Sequence, residues 1–295
     1  MITGPERTMP SDRPAPAAGK APRVSVVIPT HNRAGLVVRA IRSVLDQTMA
    51  DLELIIVDDA STDGTAAIVA QVNDARLQFV RLAENGRQSR AMNEGVRRAR
   101  AEWVAFLDDD DEWLPHKLSA QLARLAEVPN ASAVYCRCNV QTSEGLRTAI
   151  SRPTLPEGDI TDALLSRRML ITPSGYMVRR DALIEAGGFD EALFASQDMD
   201  LWLRLCQAGH RFAIVPEPLF IYHAEDDKPG VSGNVIAQLQ AFELIDQRWG
   251  KLMRERLGDA EYERWHKNRS NKLRKAHDKL ARKTEKRAAR MQEPA

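Results

Sequence analysis

The chain has 295 residues, with 42 Lys and Arg against 41 Asp and Glu and a formal net charge of +1. At about 150 residues per domain, this length holds one large domain or two small ones and can bury a core without disulfide staples. Hydrophobic residues make up 43% and charged residues 28%, which excludes wholesale disorder, and the near-neutral balance argues against a dedicated nucleic-acid partner.

Residues 1–22 are rich in Pro, Ala and Gly and read as a disordered leader without the apolar h-region of a secretory signal. No apolar run nears the roughly 20 residues needed to span a membrane. Cys136, Cys138 and Cys206 form no disulfide framework and lack the nearby His or Cys that a zinc site needs. The expectation is a cytoplasmic protein with reduced, structural cysteines.

From Val24 the chain alternates strand and helix. Val24–Ile28 is a short β-branched run that stops at Pro29. Leu36, Val37, Ala40, Ile41, Val44 and Leu45 then form one helical stripe. Leu52–Asp58 is the second strand, and the turn Ser61–Thr65 leads into a helix near Ala66–Val72. Leu77–Leu82 is a third strand, Gln88–Arg100 a helix, and Trp103–Leu107 a fourth strand. Pro115 sits where a proline can open a helix. Apolar strands alternating with helices predict an α/β protein with a mostly parallel sheet, whose ligands sit outside the carboxyl ends of the strands.

The second half is less regular. Strands are expected around Cys136 and Tyr176, with a helix stopped at Gly187 and Gly188. An amphipathic helix carries Leu201, Trp202 and Leu205 and ends at Gly209. Arg211–Val215 and Leu219–His223 read as two closing strands. Beyond about Ile236 the chain reads as helical and basic. Residues 251–295 hold 15 Lys and Arg against 7 Asp and Glu, leaving 27 against 34 in the remainder. The neutral total is therefore an acidic body joined to a basic tail. Trp249, Leu252, Met253, Leu257, Tyr262 and Trp265 are expected to pack on that body.

Three polar clusters fall at strand ends. Asp108, Asp109, Asp110 and Asp111 leave the fourth strand together. Adjacent carboxylates repel one another unless a cation is near. Mg²⁺ or Mn²⁺ takes one or two carboxylates plus substrate phosphates, so the cluster suits a metal-bound diphosphate. A solvated acidic turn capping the next helix is the plain alternative. Asp58 and Asp59 enter a Ser/Thr/Gly turn, where a carboxylate can accept from a base N–H or a ribose hydroxyl. Asp63 in that turn reads as a cap. Pro29, His31, Asn32 and Arg33 stand at the mouth of the first strand, and Arg33 could pair with a phosphate or be an incidental surface charge.

These segments resemble the family 2 glycosyltransferases, which have the GT-A fold and use a DXD motif. The matching stretches are VSVVIPTHNR, LELIIVDDASTDGT, ENGRQSRAMNEG, WVAFLDDDDEW, GGFDEAL and SQDMDLWLRL, in family order from about Val24 to His223. The resemblance implies metal ligation by Asp108 and Asp110, with His223 as a late ligand. It implies nucleotide contacts from Pro29, His31, Arg33, Asp59, Arg90 and Asp109. It makes Asp198 the catalytic base, although a residue at a helix start is otherwise read as a cap. Two departures stand out. Gln197 replaces the glutamate that often precedes the base. The family's Ala-Arg-Asn segment is Ala91-Met92-Asn93, so Arg90 or Arg87 takes the place of its arginine. The absence of a Gln-x-x-Arg-Trp segment argues against a processive synthase.

The expected organisation is a leader at 1–22, a GT-A domain at 23–225 and a helical basic extension at 226–295. The expected reaction is metal-dependent and inverting, from a nucleotide-diphosphate sugar (a UDP-sugar first) to a saccharide or lipid-linked acceptor, with no nucleic acid. The segment 141–174 is expected to shape the acceptor side, and the basic tail to meet either solvent or an anionic membrane. A metal-dependent nucleotidyltransferase is the alternative enzyme, weakened by the lack of an early Gly-rich phosphate loop. A non-catalytic sugar-nucleotide binder is the third reading.

Overall fold

The computed structural model describes residues 21–148, 155–166, 169, 172–224 and 235–292. The expected leader thus lies almost wholly outside the described residues, as do parts of the expected acceptor-side segment. β1 (Val24–Thr30), β2 (Leu52–Asp58), β3 (Leu77–Arg81) and β4 (Trp103–Phe106) pair in parallel, in the order β3-β2-β1-β4. Between them run α1 (Val37–Leu45), α2 (Thr65–Val69) and α3 (Arg87–Arg98). β1, β2 and β4 are buried at every position, as expected for strands covered on both faces. Chain order reverses beside β1, because β2 and β3 lie on one side of it and β4 on the other. Such a switch point opens a crevice at the carboxyl ends of the strands.

Beyond β4 the sheet becomes mixed. β5 (Glu112–Trp113) is followed by α4 (Lys117–Glu127), β6 (Ala131–Thr142), β7 (Gly145–Thr148) and α5 (Thr161–Leu165). β8 (Tyr176–Arg179) lies antiparallel between β4 and β6, and α6 (Arg180–Glu185) and α7 (Gln197–Gln207) follow it. β9 (Arg211–His223) runs parallel to β6 and antiparallel to β5. The two expected closing strands are therefore one. Pro216 and Pro218 cannot donate ladder hydrogen bonds, and the β6 register shifts between Cys136 and Cys138 let the pairing continue past them.

One buried cluster lies on each face of the sheet. The α1 and α4 side gathers Ile41, Val44, Leu118 and Leu122. The α3 and α7 side gathers Ala91, Met92, Leu201 and Trp202. Gly95 lets α3 approach closely, since a Cβ there would lie 2.2 Å from Val27 Cγ1. α8 (Val235–Leu257) and α9 (Asp259–Gln292) follow as a helical pair. Trp249, Met253 and Tyr262 enter the same cluster as Trp202, with Leu252, Leu257 and Trp265 against it. Among the described residues no helix is long and apolar enough to cross a membrane.

Lys117 is a buried cation at the start of α4. It is fully inaccessible, with Nζ 2.8 Å from Gln121 Oε1 and 4.0 Å from the Trp113 ring centre. Burial pushes its pKa down to about 8. The folded state thus resists the charged form, at a cost of about 3 kcal/mol near neutral pH. That cost is fully present below pH 8. It fades as pH rises toward the unfolded-state pKa, because only the unfolded chain then stays protonated. Lys117→Met is expected to be more stable than the parent at pH 7, by a margin that shrinks between pH 8 and 10. Urea melts of both proteins across that range check this, and a constant margin would contradict it.

Candidate active site

The carboxyl ends of β1, β2 and β4 are joined by side chains that satisfy backbone groups of neighbouring loops. Asn32, at φ 55°, lets Oδ1 accept from Thr62 N at 2.8 Å and Asp63 N at 3.2 Å. Asn32 Nδ2 therefore faces His31 Nε2 at 3.0 Å. His31 Nδ1 is 2.6 Å from the Asp59 carbonyl oxygen, so Nδ1 carries the hydrogen and Nε2 accepts. Asn85 Nδ2 also points at that Nε2, at 3.2 Å. His31 thereby ties together the loops after β1, β2 and β3.

Asp63 Oδ1 accepts from Thr65 N at 2.9 Å, as its position in the turn predicts for a cap. Asp59 is 3% exposed, and its two oxygens accept from Gly86 N at 2.7 Å and Arg87 N at 2.6 Å. It holds the entry to α3, where Arg87 sits at φ 70° with its guanidinium 3.3 Å from the Phe194 ring centre. Arg90 Nη1 bonds Glu84 Oε1 at 3.0 Å on the exposed side of α3. Pro29 is buried within β1 opposite Val57.

The four aspartates separate by environment. Asp111 is fully buried, with Oδ2 accepting from Ser174 Oγ at 2.6 Å and Oδ1 from His223 N at 3.2 Å. Asp108 Oδ1 accepts from Gln88 Nε2 at 2.8 Å, and Oδ2 from Thr172 Oγ1 at 3.0 Å. Burial, then the Asp111 and Asp110 charges, push Asp108 well above the ordinary carboxylate range. Burial pushes Asp109 up to about 6, although Arg33 Nε lies 3.8 Å from its Oδ1. The Asp110 carbonyl accepts from the Arg39 guanidinium.

Among the described residues no three or more His, Cys, Asp or Glu side chains close on a metal position. Asp108, Asp110 and His223 are thus not gathered into a ready-made triad, and His223 Nε2 lies 3.7 Å from Glu112 Oε2. The donor set nevertheless fits Mg²⁺ or Mn²⁺ held through one or two carboxylates, with diphosphate and water completing the shell. Asp108 is surrounded by like charges and bonded by neutral donors, the condition a cation relieves.

α7 enters from the other side. Ser196, in the left-handed region at φ 59°, turns the chain into it. Trp202 is stacked on Tyr176 at 4.5 Å between ring centres, fixing α7 to β8. Asp198 is half-buried in the first turn, with Oδ1 accepting from Met199 N at 2.7 Å. Gln197 Nε2 donates to Gln88 Oε1 at 3.0 Å, and Gln88 donates onward to Asp108. One amide therefore joins the acidic cluster to the start of α7. Gln88, Thr172 and Ser174 were not singled out from sequence. Gln88 lies inside a family-like segment, whereas the two hydroxyls carry no signal of their own.

Residues 25–187 match the sequence profile described as Glycosyl transferase family 2. The chain belongs to this family. Asp198 lies just beyond the matched stretch, so its role rests on its motif and surroundings. Among relatives of this family 2 chain, the succinoglycan biosynthesis protein ExoO of Rhizobium meliloti is 32% identical over 72% of it. The chain spans 63% of that relative's length. A TarS structure from S. aureus, in complex with UDP-GlcNAc, superposes with a TM-score of 0.63 at 20% identity, covering 76% of this chain and 67% of that one. A mannosyltransferase from Pyrobaculum calidifontis, in complex with GDP-Man and Mn²⁺, gives 0.58 at 24% identity, covering 84% and 68%. At these identities the two structures establish a shared GT-A fold.

The hydrogen bonds of Asp59 make it an anchor for α3 whether or not it also meets a base. Asp59→Asn replaces one acceptor by a donor facing a backbone N–H. The nucleotide-free protein is expected to lose about 1–3 kcal/mol. A thermal melt without ligand measures this. An unchanged melt would leave Asp59 as a ligand contact alone.

Proposed function

We propose that this family 2 chain is a metal-dependent inverting glycosyltransferase that moves a sugar from a nucleotide diphosphate, a UDP-sugar first, to an acceptor hydroxyl. The observation that carries the reading is the Asp108–Gln88–Gln197 connection, which sets the acidic cluster beside the helix start bearing Asp198. The mannosyltransferase that binds GDP-Man with Mn²⁺ and the TarS complex with UDP-GlcNAc support the donor class. The naming of a relative for succinoglycan biosynthesis supports a glycan acceptor, either a saccharide or a lipid-linked one.

In this mechanism Asp108 and Asp110 would hold the divalent ion. When bound, the ion supplies Lewis-acid stabilisation of the charge developing on the leaving diphosphate. Arg33, beside Asp109 at the mouth of β1, adds a cation on the same side. His31 holds the β1 loop through the Asp59 carbonyl and so shapes the nucleotide side. Asp198 takes the acceptor hydroxyl proton on its carboxylate while the oxygen attacks the anomeric carbon. The transition state is oxocarbenium-like, and one displacement with one base inverts the centre.

Asp198→Asn is expected to lower kcat by at least about 100-fold, with nucleotide affinity nearly unchanged. Unchanged turnover would remove Asp198 from the base role. NMR of the product is expected to show inverted anomeric configuration, and retention would reject single displacement. The by-product is expected to be a nucleoside diphosphate, whereas pyrophosphate would point to nucleotidyl transfer. The basic tail is read either as a solvated helix balancing the acidic body or as an electrostatic route to an anionic membrane carrying a lipid-linked acceptor. On the membrane reading, vesicle sedimentation with and without residues 275–295, a cut that spares the packed Tyr262, Trp265 and Leu273, is expected to show a salt-sensitive loss on truncation at two salt concentrations. Equal binding would end that route.

A further inference from the structure

Asp198 and Asp200 both lie in the first turn of α7, two residues apart. At about 100° per residue they point to nearly opposite sides of the helix. Asp200 is fully buried. Its Oδ2 accepts from Arg204 Nε at 2.8 Å, one turn along the same helix. Its Oδ1 accepts from two groups of α8, Arg248 Nη1 at 2.6 Å and Trp249 Nε1 at 3.0 Å. Arg248 also donates through Nη2 to Asp190 Oδ2 at 2.7 Å, in the segment leading toward α7. Arg204 continues the arrangement with hydrogen bonds to the Ala186 carbonyl and, at 2.7 Å, to the Gly188 carbonyl.

The fork of Arg248 thus joins the loop before α7 to the helix itself. The α8 residues lie beyond the stretch that matches the family profile. A buried carboxylate held from a second helix resists rotation of its own, since turning α7 would strip the α8 donors Arg248 and Trp249 from Asp200 Oδ1, while Arg204 moves with the helix. A constraint on one face of α7 fixes where the opposite face points. The neighbouring Ser196, held at φ 59°, gives the helix start no easy alternative course.

We propose that Arg248 and Trp249 are positioning residues for Asp198: α8 grips Asp200 and so sets the direction from which the base meets the acceptor hydroxyl. The catalytic part rests on the glycosyl-transfer reading above, whereas the grip on α7 does not. α8 is then a working part of the transfer site.

The test uses the full chain with Arg248→Met, Arg248→Lys and Trp249→Phe, assayed where circular dichroism shows each fully folded. Trp249→Phe keeps an aromatic ring and removes the indole donor with a modest loss of buried volume, so, assayed where it is folded, it decides the matter if Arg248→Met does not fold. Arg248→Met is expected to lower kcat about 10- to 100-fold while KM for the sugar nucleotide stays within about twofold. Arg248→Lys is expected to recover part of the loss, and Trp249→Phe to show a smaller loss in kcat alone. Folded variants with parental kcat, or a loss confined to KM, would overturn the proposal. Amide hydrogen exchange supplies an arm independent of turnover. Faster exchange confined to residues 190–204 is expected in Arg248→Met and Trp249→Phe, and parental exchange there would overturn the grip itself. If the parent transfers no sugar from any donor, the functional reading fails, and the exchange arm still decides whether α8 holds α7.

Discussion

Four adjacent carboxylates at the end of a buried strand are the constraint around which this structure is arranged. Like charges cannot be packed together without partners, and the partners come from distant parts of the chain. Asp111 is tied to Ser174 and to the backbone of His223. Asp108 is tied to Gln88 and Thr172. Asp109 faces Arg33, and the Asp110 carbonyl is held by Arg39. The loops that converge on the crevice are therefore the loops that supply these partners. Two aspartates carry hydrogen bonds that fasten the loop, and the cluster still keeps the excess negative charge that favours a bound cation.

Around this charge the nucleotide side is a network of loops bonded through side chains. His31, Asn32, Asp59 and Asp63 spend their polar atoms largely on neighbouring backbone groups. Residues in the left-handed region (Asn32, Ala60, Arg87 and Ser196) fall where β1, β2, α3 and α7 meet the crevice. Backbone in sparsely populated conformations persists only where its surroundings over-determine it. A site of this kind is preorganised, with little freedom to lose when a ligand arrives.

The alternation of strands and helices was legible from periodicity, because β1, β2 and β4 are covered on both faces and α1 on one. Asp63 was legible as a cap because the turn chemistry is local. Other features depended on long-range contacts. Four identical side chains give no local sign that Asp111 turns into the body while Asp110 stays half-exposed. Asp59 read as a ligand contact, yet its oxygens meet the N–H groups of residues 27 and 28 positions away. Ser174 and Thr172 matter only because β8 inserts beside β4. β9 read as two strands because two prolines look like a break, and only its partner β6 shows how the ladder continues.

The closure of the acidic loop by β9 also sets an order of assembly. β5 follows the aspartates immediately, yet its partners are Phe220 and Ile221, and the backbone of His223 reaches Asp111 across 112 residues of chain. During synthesis the parallel strands β1 to β4 can pair while the four carboxylates still stand in an unfinished loop. Only when residue 223 has left the ribosome can that loop close. A nascent chain stalled before β9 can hold the parallel strands β1 to β4 but not the closed acidic loop, so the loop is finished only after the parallel half of the sheet has formed.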